Sequence, residues 1–307
     1  VGSEMCIRDR FSPTSGTSWG PKISELPNDA TYGGNTDNKY TQQYGKQQGK
    51  YYVPQRASAG LDPWATPQAY DNAKDFFDTG ITWSNSLNVA QMLEKSSYSI
   101  SLGNTHQDGI ISSTGMDRYN VKVSADTKLT SNWSSGFTAN YITTSIDKAV
   151  TSGNGLLRTV YAAPPSYDLA GIPSHVDGNP YTQNSFRGSF DNAYWAMENN
   201  KFTEDTNRFF GNVYTSYQTD FGTTNHKLNA KYMVGVDAYT THYVDSYGYG
   251  SNTGGGRGQI ENYGWTNATY NSLLTINYDW HINEDWGLNA VVGNEIIQSN
   301  RKKYYEY

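Results

Sequence analysis

From Thr79 onward, apolar and polar positions alternate in runs broken by turn residues. Successive side chains of a strand point to opposite sides, so alternation of this kind predicts strands with one apolar face. Leu228, Ala230, Tyr232, Val234, Val236 and Ala238 form the longest run. Ile81, Trp83, Leu87 and Val89 open the series, followed by Tyr98, Ile100 and Leu102, then by Tyr119, Val121, Val123 and Ala125. Phe137, Ala139 and Tyr141 come next, and a weaker set is Phe209, Gly211 and Val213. Leu274, Ile276, Tyr278 and Trp280 precede the last set, Leu288, Ala290 and Val292. The pattern predicts roughly eight strands, each of about the 9–11 residues that cross a bilayer when tilted.

The links between these runs alternate in length. Short ones fall at Gln91–Lys95, Thr130–Asn132, Asp220–Asn225 and Asn283–Asp285, long ones at Asn104–Asp117, Ser145–Thr206 and Asp245–Asn262. Short turns on one side and long loops on the other are how outer-membrane barrels are built. Phe11 to about Lys74 shows no sustained period and is expected to be a long loop with a short ordered turn.

Composition sharpens this picture. Only 36% of the 307 residues are hydrophobic, yet charged residues make up just 17% and aromatic residues 14%. Disordered chains are charged and poor in aromatics, so the composition argues for order. A barrel with a watered interior and a thin apolar outer band has this balance. No run approaches 18 consecutive apolar residues, so no membrane helix is expected, which leaves a β-barrel open. The net charge of -6, without a run of five or more Lys and Arg, speaks against a nucleic-acid partner. Val1–Arg10 fits nothing downstream and reads as non-native, linker-derived sequence. It holds the single cysteine, Cys6, so no disulfide, thiol chemistry or Cys-ligated metal is expected of residues 11–307.

Little in the chain points to catalysis. The glycine-rich segment from Gly248-Tyr249-Gly250 to Gly254-Gly255-Gly256-Arg257-Gly258 lacks the Gly-Lys-Ser/Thr ending of a phosphate loop and reads as a flexible loop tip. The histidines His106, His175, His226, His242 and His281 are not at metal-ligand spacing. No opposed pair of carboxylates can be nominated, so no enzyme, metal or cofactor is expected. Aromatic residues of the long loops are the candidate ligand contacts: Trp19, Trp64, Tyr181 and Trp195, with Tyr194 beside the last. Exposed rings of this kind stack on sugars or peptides. The alternative for each is packing within the loops. The turns Leu129–Trp133 and Ile282–Trp286 share a pattern of an apolar residue and a Trp flanking three polar ones, which suits an aromatic girdle at a membrane interface.

Several segments, in order, resemble the SusC/RagA family of TonB-linked outer-membrane proteins. These are Ser18-Trp19-Gly20-Pro21-Lys22; Lys74-Asp75-Phe76-Phe77-Asp78-Thr79-Gly80; Asp108-Gly109-Ile110 with Asp117-Arg118-Tyr119-Asn120; Leu156-Leu157-Arg158 with Ala163-Pro164-Pro165-Ser166-Tyr167-Asp168; and Glu204-Asp205-Thr206-Asn207-Arg208-Phe209-Phe210-Gly211-Asn212. The last is the most telling. The resemblance implies an all-β, antiparallel transmembrane β-barrel fragment, about eight strands of a larger barrel of about 22, spanning residues 11–307 with long extracellular loops at about 11–75 and 145–206. It implies import of oligosaccharides or peptides across the outer membrane of a Gram-negative, Bacteroidetes-like cell. The implied partners are a SusD-like surface lipoprotein, outer-membrane lipids and, through a plug-bearing N-terminal part lacking here, the TonB complex. Without that part the fragment is not expected to transport alone.

A surface adhesin or a soluble carbohydrate-binding β-protein is the competing reading, and a secreted β-rich hydrolase a third. If Leu228, Tyr232, Val234 and Leu274 were to lie in a protein core, the barrel reading would fail.

Overall fold

The computed structural model describes residues 22–149 and 156–307. Val1–Arg10 and Trp19 therefore lie outside the described residues. In chain order the strands are β1 (Tyr51–Tyr52), β2 (Trp64–Ala65), β3 (Thr82–Met92), β4 (Ser96–Asp108), β5 (Gly115–Lys128), β6 (Trp133–Lys148), β7 (His175–Val176), β8 (Asn179–Gln183), β9 (Lys201–Thr219), β10 (His226–Tyr247), β11 (Gln259–His281) and β12 (Gly287–Glu306). Eight of them form one antiparallel sheet in the order β12-β11-β10-β9-β6-β5-β4-β3. Neighbours in the sheet are neighbours in sequence apart from the excursion between β6 and β9. The two outer strands, β3 and β12, each have one side unpaired within this chain.

The strands run longer than the alternation predicts. β3 has 11 residues, but β10 has 22 and β11 has 23. Alternation reports a strand only where one face is apolar. Around Asp205-Thr206-Asn207-Arg208 both faces are polar, and backbone pairing to Ser145–Ile142 carries the strand on without any sequence period.

This extension also corrects the links. The expected long connection Asn104–Asp117 shrinks to the turn 109–114, because β4 and β5 pair out to Asp108 and Gly115. Ser113 takes a positive φ of 66° there, and Gly109 N–H donates to Thr114 C=O at 2.8 Å. The other two long links become 149–200 and 248–258. The short links 93–95, 129–132, 220–225 and 282–286 all lie at the opposite end of the sheet.

Residues 22 to about 74, expected to be part of a long loop with a short ordered turn, fold into more than that. They hold short helices at Lys39–Tyr44, Pro54–Ser58 and Asn72–Phe76, a 3-10 turn at Ile23–Asn28 and the β1–β2 pair. Asn38 caps the first helix, accepting from Tyr40 N–H and Thr41 N–H, while Thr41 Oγ1 accepts from Asn38 N–H. This segment packs against the excursion 156–200, with its helices Leu156–Ala162 and Ala193–Asn199. Leu26, Tyr51, Val53 and Phe76 from the first part meet Val160, Tyr167, Leu169 and Phe186 from the second in one buried cluster. The cluster forms a crown at the long-loop end of the sheet. Hydrogen bonds sew its halves together: Tyr51 Oη donates to Ser166 C=O at 2.7 Å, Leu169 N–H to Asn72 Oδ1 at 3.1 Å, and Asn184 Nδ2 to Gln55 C=O at 2.8 Å.

Candidate functional site

The sheet has two chemically different faces, and the register shows that each is continuous. Gln91, Tyr98, Ala125, Phe137, Val213, Val234, Ser272 and Ile296 are cross-strand partners in one row over all eight strands. On their face, from the turn end as far as Leu102, Tyr119, Thr143, Asn207, Thr240, Thr266 and Asn300, no strand position is Asp, Glu, Lys or Arg. Beyond that limit the same face turns ionic, with Asp117, Asp205 and Lys302. It is therefore a charge-free band bounded on the crown side by charges.

The band is not covered by protein. Val234 is 42% exposed, Tyr232 and Leu274 are exposed as well, and Leu228 is half-buried. None of the four lies in a core, which is the outcome the barrel reading requires. Aromatic residues cluster at its turn end. Trp133 packs against Tyr217 with ring centroids 5.0 Å apart, Trp280 stacks on His226 at 5.7 Å, and Trp286 is highly exposed.

The opposite face is mainly polar and, at the depth of the band, carries the charges of the strands. One of its rows reads Asn88, Ser101, Lys122, Asn140, Phe210, Asp237, Thr269 and Ser299. Arg208 grips Asp237 with two hydrogen bonds, Nε to Oδ1 at 2.8 Å and Nη2 to Oδ2 at 2.6 Å. The guanidinium also lies 5.0 Å from the Phe210 ring centroid. Lys231 sits over Tyr214 at 4.4 Å. Charges that would be costly beside Val234 are thus placed, paired or stacked, on the other side of the same strands.

The candidate loop aromatics separate in the crown. Trp195 is fully buried; its Nε1–H donates to Pro180 C=O at 3.0 Å. Trp64 is buried too, edge-on to Tyr52 at 5.6 Å. Tyr194 lies against Phe76 at 5.3 Å. These three pack the crown on itself. Tyr181 is 60% exposed and touches Tyr249, itself 66% exposed, with centroids 6.1 Å apart. Tyr249 was not among the sequence candidates, since nothing in the sequence places the 248–258 loop beside β8.

Reasoning from sequence also missed the aromatic ladder at the crown end of the polar face, built by Tyr243, Tyr263, Trp265 and Tyr305. The Tyr243 and Tyr263 rings stack at 4.9 Å with planes 7° apart. Both are tyrosines at directly paired positions of β10 and β11, a signal available only once the register is known.

A scan against protein-family models found no match for the chain, and a search of curated proteins found none. Solved structures do match. A chain of the RagAB peptide importer in its closed-closed state superposes with a TM-score of 0.63 at 16% identity, covering 98% of this chain and 34% of that one. The open-open state gives 0.64 at 15% identity, covering 94% and 31%. A further RagAB peptide transporter structure gives 0.58, covering 76% and 27%. This chain spans about a third of the length of those chains or less. The likeness shows the fold: the eight-stranded sheet with its crown is built like part of a large antiparallel β-barrel.

Proposed function

We propose that the chain is part of an outer-membrane active transporter that imports peptides or oligosaccharides, coupled to TonB and paired with a SusD-like surface lipoprotein. The observation that carries this reading is the charge-free band across eight strands, exposed and backed by a polar face. In water such a band would be a large unpaired apolar surface, a liability for any soluble protein. Against hydrocarbon it is the surface a barrel needs, and the polar face then lines the lumen. The turn-end tryptophans sit where an interfacial girdle belongs, and the crown stands on the extracellular side. The fold shared with the RagAB importer chains favours transport over adhesion.

The reading is tested in the cell. Disruption of the gene encoding the chain should abolish uptake of a labelled peptide or oligosaccharide pool, and the intact gene should restore it. The protein should fractionate with outer membranes and need detergent for extraction. Unchanged uptake of every probe, or recovery as a stable soluble monomer without detergent, would overturn the assignment.

A further inference from the structure

At the crown end of the polar face, Glu204, Tyr243, Tyr263 and Tyr305 are successive cross-strand partners on β9 to β12. The rings form a ladder, Tyr243 on Tyr263 at 4.9 Å and Tyr263 on Tyr305 at 6.2 Å. Each ring is matched with a carboxylate. Glu204 is the direct cross-strand partner of Tyr243, Tyr263 Oη donates to Asp245 Oδ2 at 3.1 Å, and Tyr305 Oη donates to Glu261 Oε2 at 3.1 Å. A rung therefore presents a π-face and a negative charge together, the combination that holds an ammonium or guanidinium group.

The first rung already holds one. Lys148 Nζ sits 4.3 Å from the Tyr243 centroid and 3.4 Å from Glu204 Oε2. The next two rungs repeat the chemistry without an internal cation: neither Asp245 nor Glu261 has an ion pair among the described residues. Asp245 Oδ1 accepts no hydrogen bond there.

We propose that the rungs Tyr263–Asp245 and Tyr305–Glu261 bind the cationic group of a peptide cargo, either a free N-terminal ammonium or a Lys or Arg side chain, in the place that Lys148 fills on the first rung. This rests on the importer reading and adds to it a charge preference. The ladder stands where the lumen opens beneath the crown, so a cargo meets it on entry.

The test uses the complete membrane-assembled protein that carries this sequence, in detergent. The probes are a fluorescent lysine-containing peptide with a free N-terminus, and its N-acetylated counterpart with norleucine for lysine. The intact protein should bind the cationic probe more tightly. The double variant Asp245→Asn, Glu261→Gln keeps the side-chain shapes and removes both charges. It should weaken the cationic probe about tenfold and leave the neutral one unchanged. Tyr263→Leu, tested alone, should weaken the cationic probe in the same selective way. Equal losses for both probes would assign the ladder a structural role and overturn the proposal. Absence of any charge preference in the intact protein would overturn it while leaving the importer reading standing. Failure to bind or import any peptide or oligosaccharide would remove both.

Discussion

Asp191 Oδ2 accepts a 2.6 Å hydrogen bond from Ser251 Oγ, and this contact ties two separate loops together. The other oxygen of Asp191 accepts from Gln183 Nε2 at 2.7 Å and from Asn252 N–H and Nδ2 at 2.8 Å each. A buried carboxylate is tolerated because these donors replace its water. The glycine-rich segment, expected from sequence to be a flexible tip, is thereby anchored to the crown. Asp191→Ala should leave those donors unpaired and cost about 1–3 kcal/mol in local stability. Amide exchange at 248–258 should speed up strongly while exchange in β10 and β11 stays slow. Equal protection in both proteins would show that the loop is held by something else.

The crown's tryptophans and tyrosines should respond oppositely to truncation. Trp195 has no exposed surface, so Trp195→Ala should cost the crown about 3–5 kcal/mol. Tyr181→Ala, at an exposed position, should change stability by no more than about 0.5 kcal/mol. Pulse proteolysis of the crown reads both. If cargo or lipoprotein binding is lost in the Tyr181 variant without loss of stability, the exposed Tyr181–Tyr249 pair is a contact surface.

Alkaline pH should open the crown before the sheet. Burial pushes the Tyr51 and Tyr167 phenols well above their ordinary value of 10.0. Burial, with Tyr44 alongside, pushes Tyr52 up to about 12. Raised folded-state values mean that stability is fully present below pH 10, where these phenols are protonated in both states. As pH rises through 10 the unfolded chain ionises first, and stability falls until the folded values are passed. Trp64 fluorescence, reporting on the ring beside Tyr52, should change between pH 10 and about 12. Tyr52→Phe should make the pH-dependent loss shallower. A crown indifferent to pH across that window would contradict the burial of these hydroxyls.

The sheet was far more legible in the sequence than the crown, for physical reasons. Leu228 to Ala238 alternate because this stretch of β10 has one side in the charge-free band, so period and face follow together. The link 220–225 was readable because Asp220, Gly222 and Asn225 are turn residues between two such runs. The crown has no such period. Its helices have five to seven residues, too short to show a 3.6-residue repeat. Its core joins partners far apart in sequence, as Tyr51 to Ser166. Trp195 and Tyr181 look alike in the sequence, and only the fold decides which is buried. The ladder was hidden for a third reason: at that height both faces of β10 and β11 mix polar and apolar residues, as Val244 beside Asp245 and Ile260 beside Glu261, so alternation carries no information there.

The two faces of β10 should differ sharply in what they tolerate. Val234 lies in the middle of the charge-free row, between Val213 and Ser272. Lys231 lies on the other face, over the Tyr214 ring. If the band meets lipid, Val234→Arg places a guanidinium near the midplane at a cost of about 2–4 kcal/mol. A long side chain could reach toward a headgroup from a position near the band's edge, but Val234 has Tyr232 and Val236 on either side of it along the same face. Lys231→Ala removes one stacked cation from a face that already holds Asn229, Asp237 and Thr269, and no large cost follows. In the complete protein, Val234→Arg should therefore reduce the amount assembled in the outer membrane several-fold, scored by heat-modifiable migration, while Lys231→Ala assembles normally. Equal assembly of the two variants would mean that the band is not in hydrocarbon. The charge-free row would then need a protein partner to cover it, and the soluble carbohydrate-binding reading would return with that partner as its first requirement.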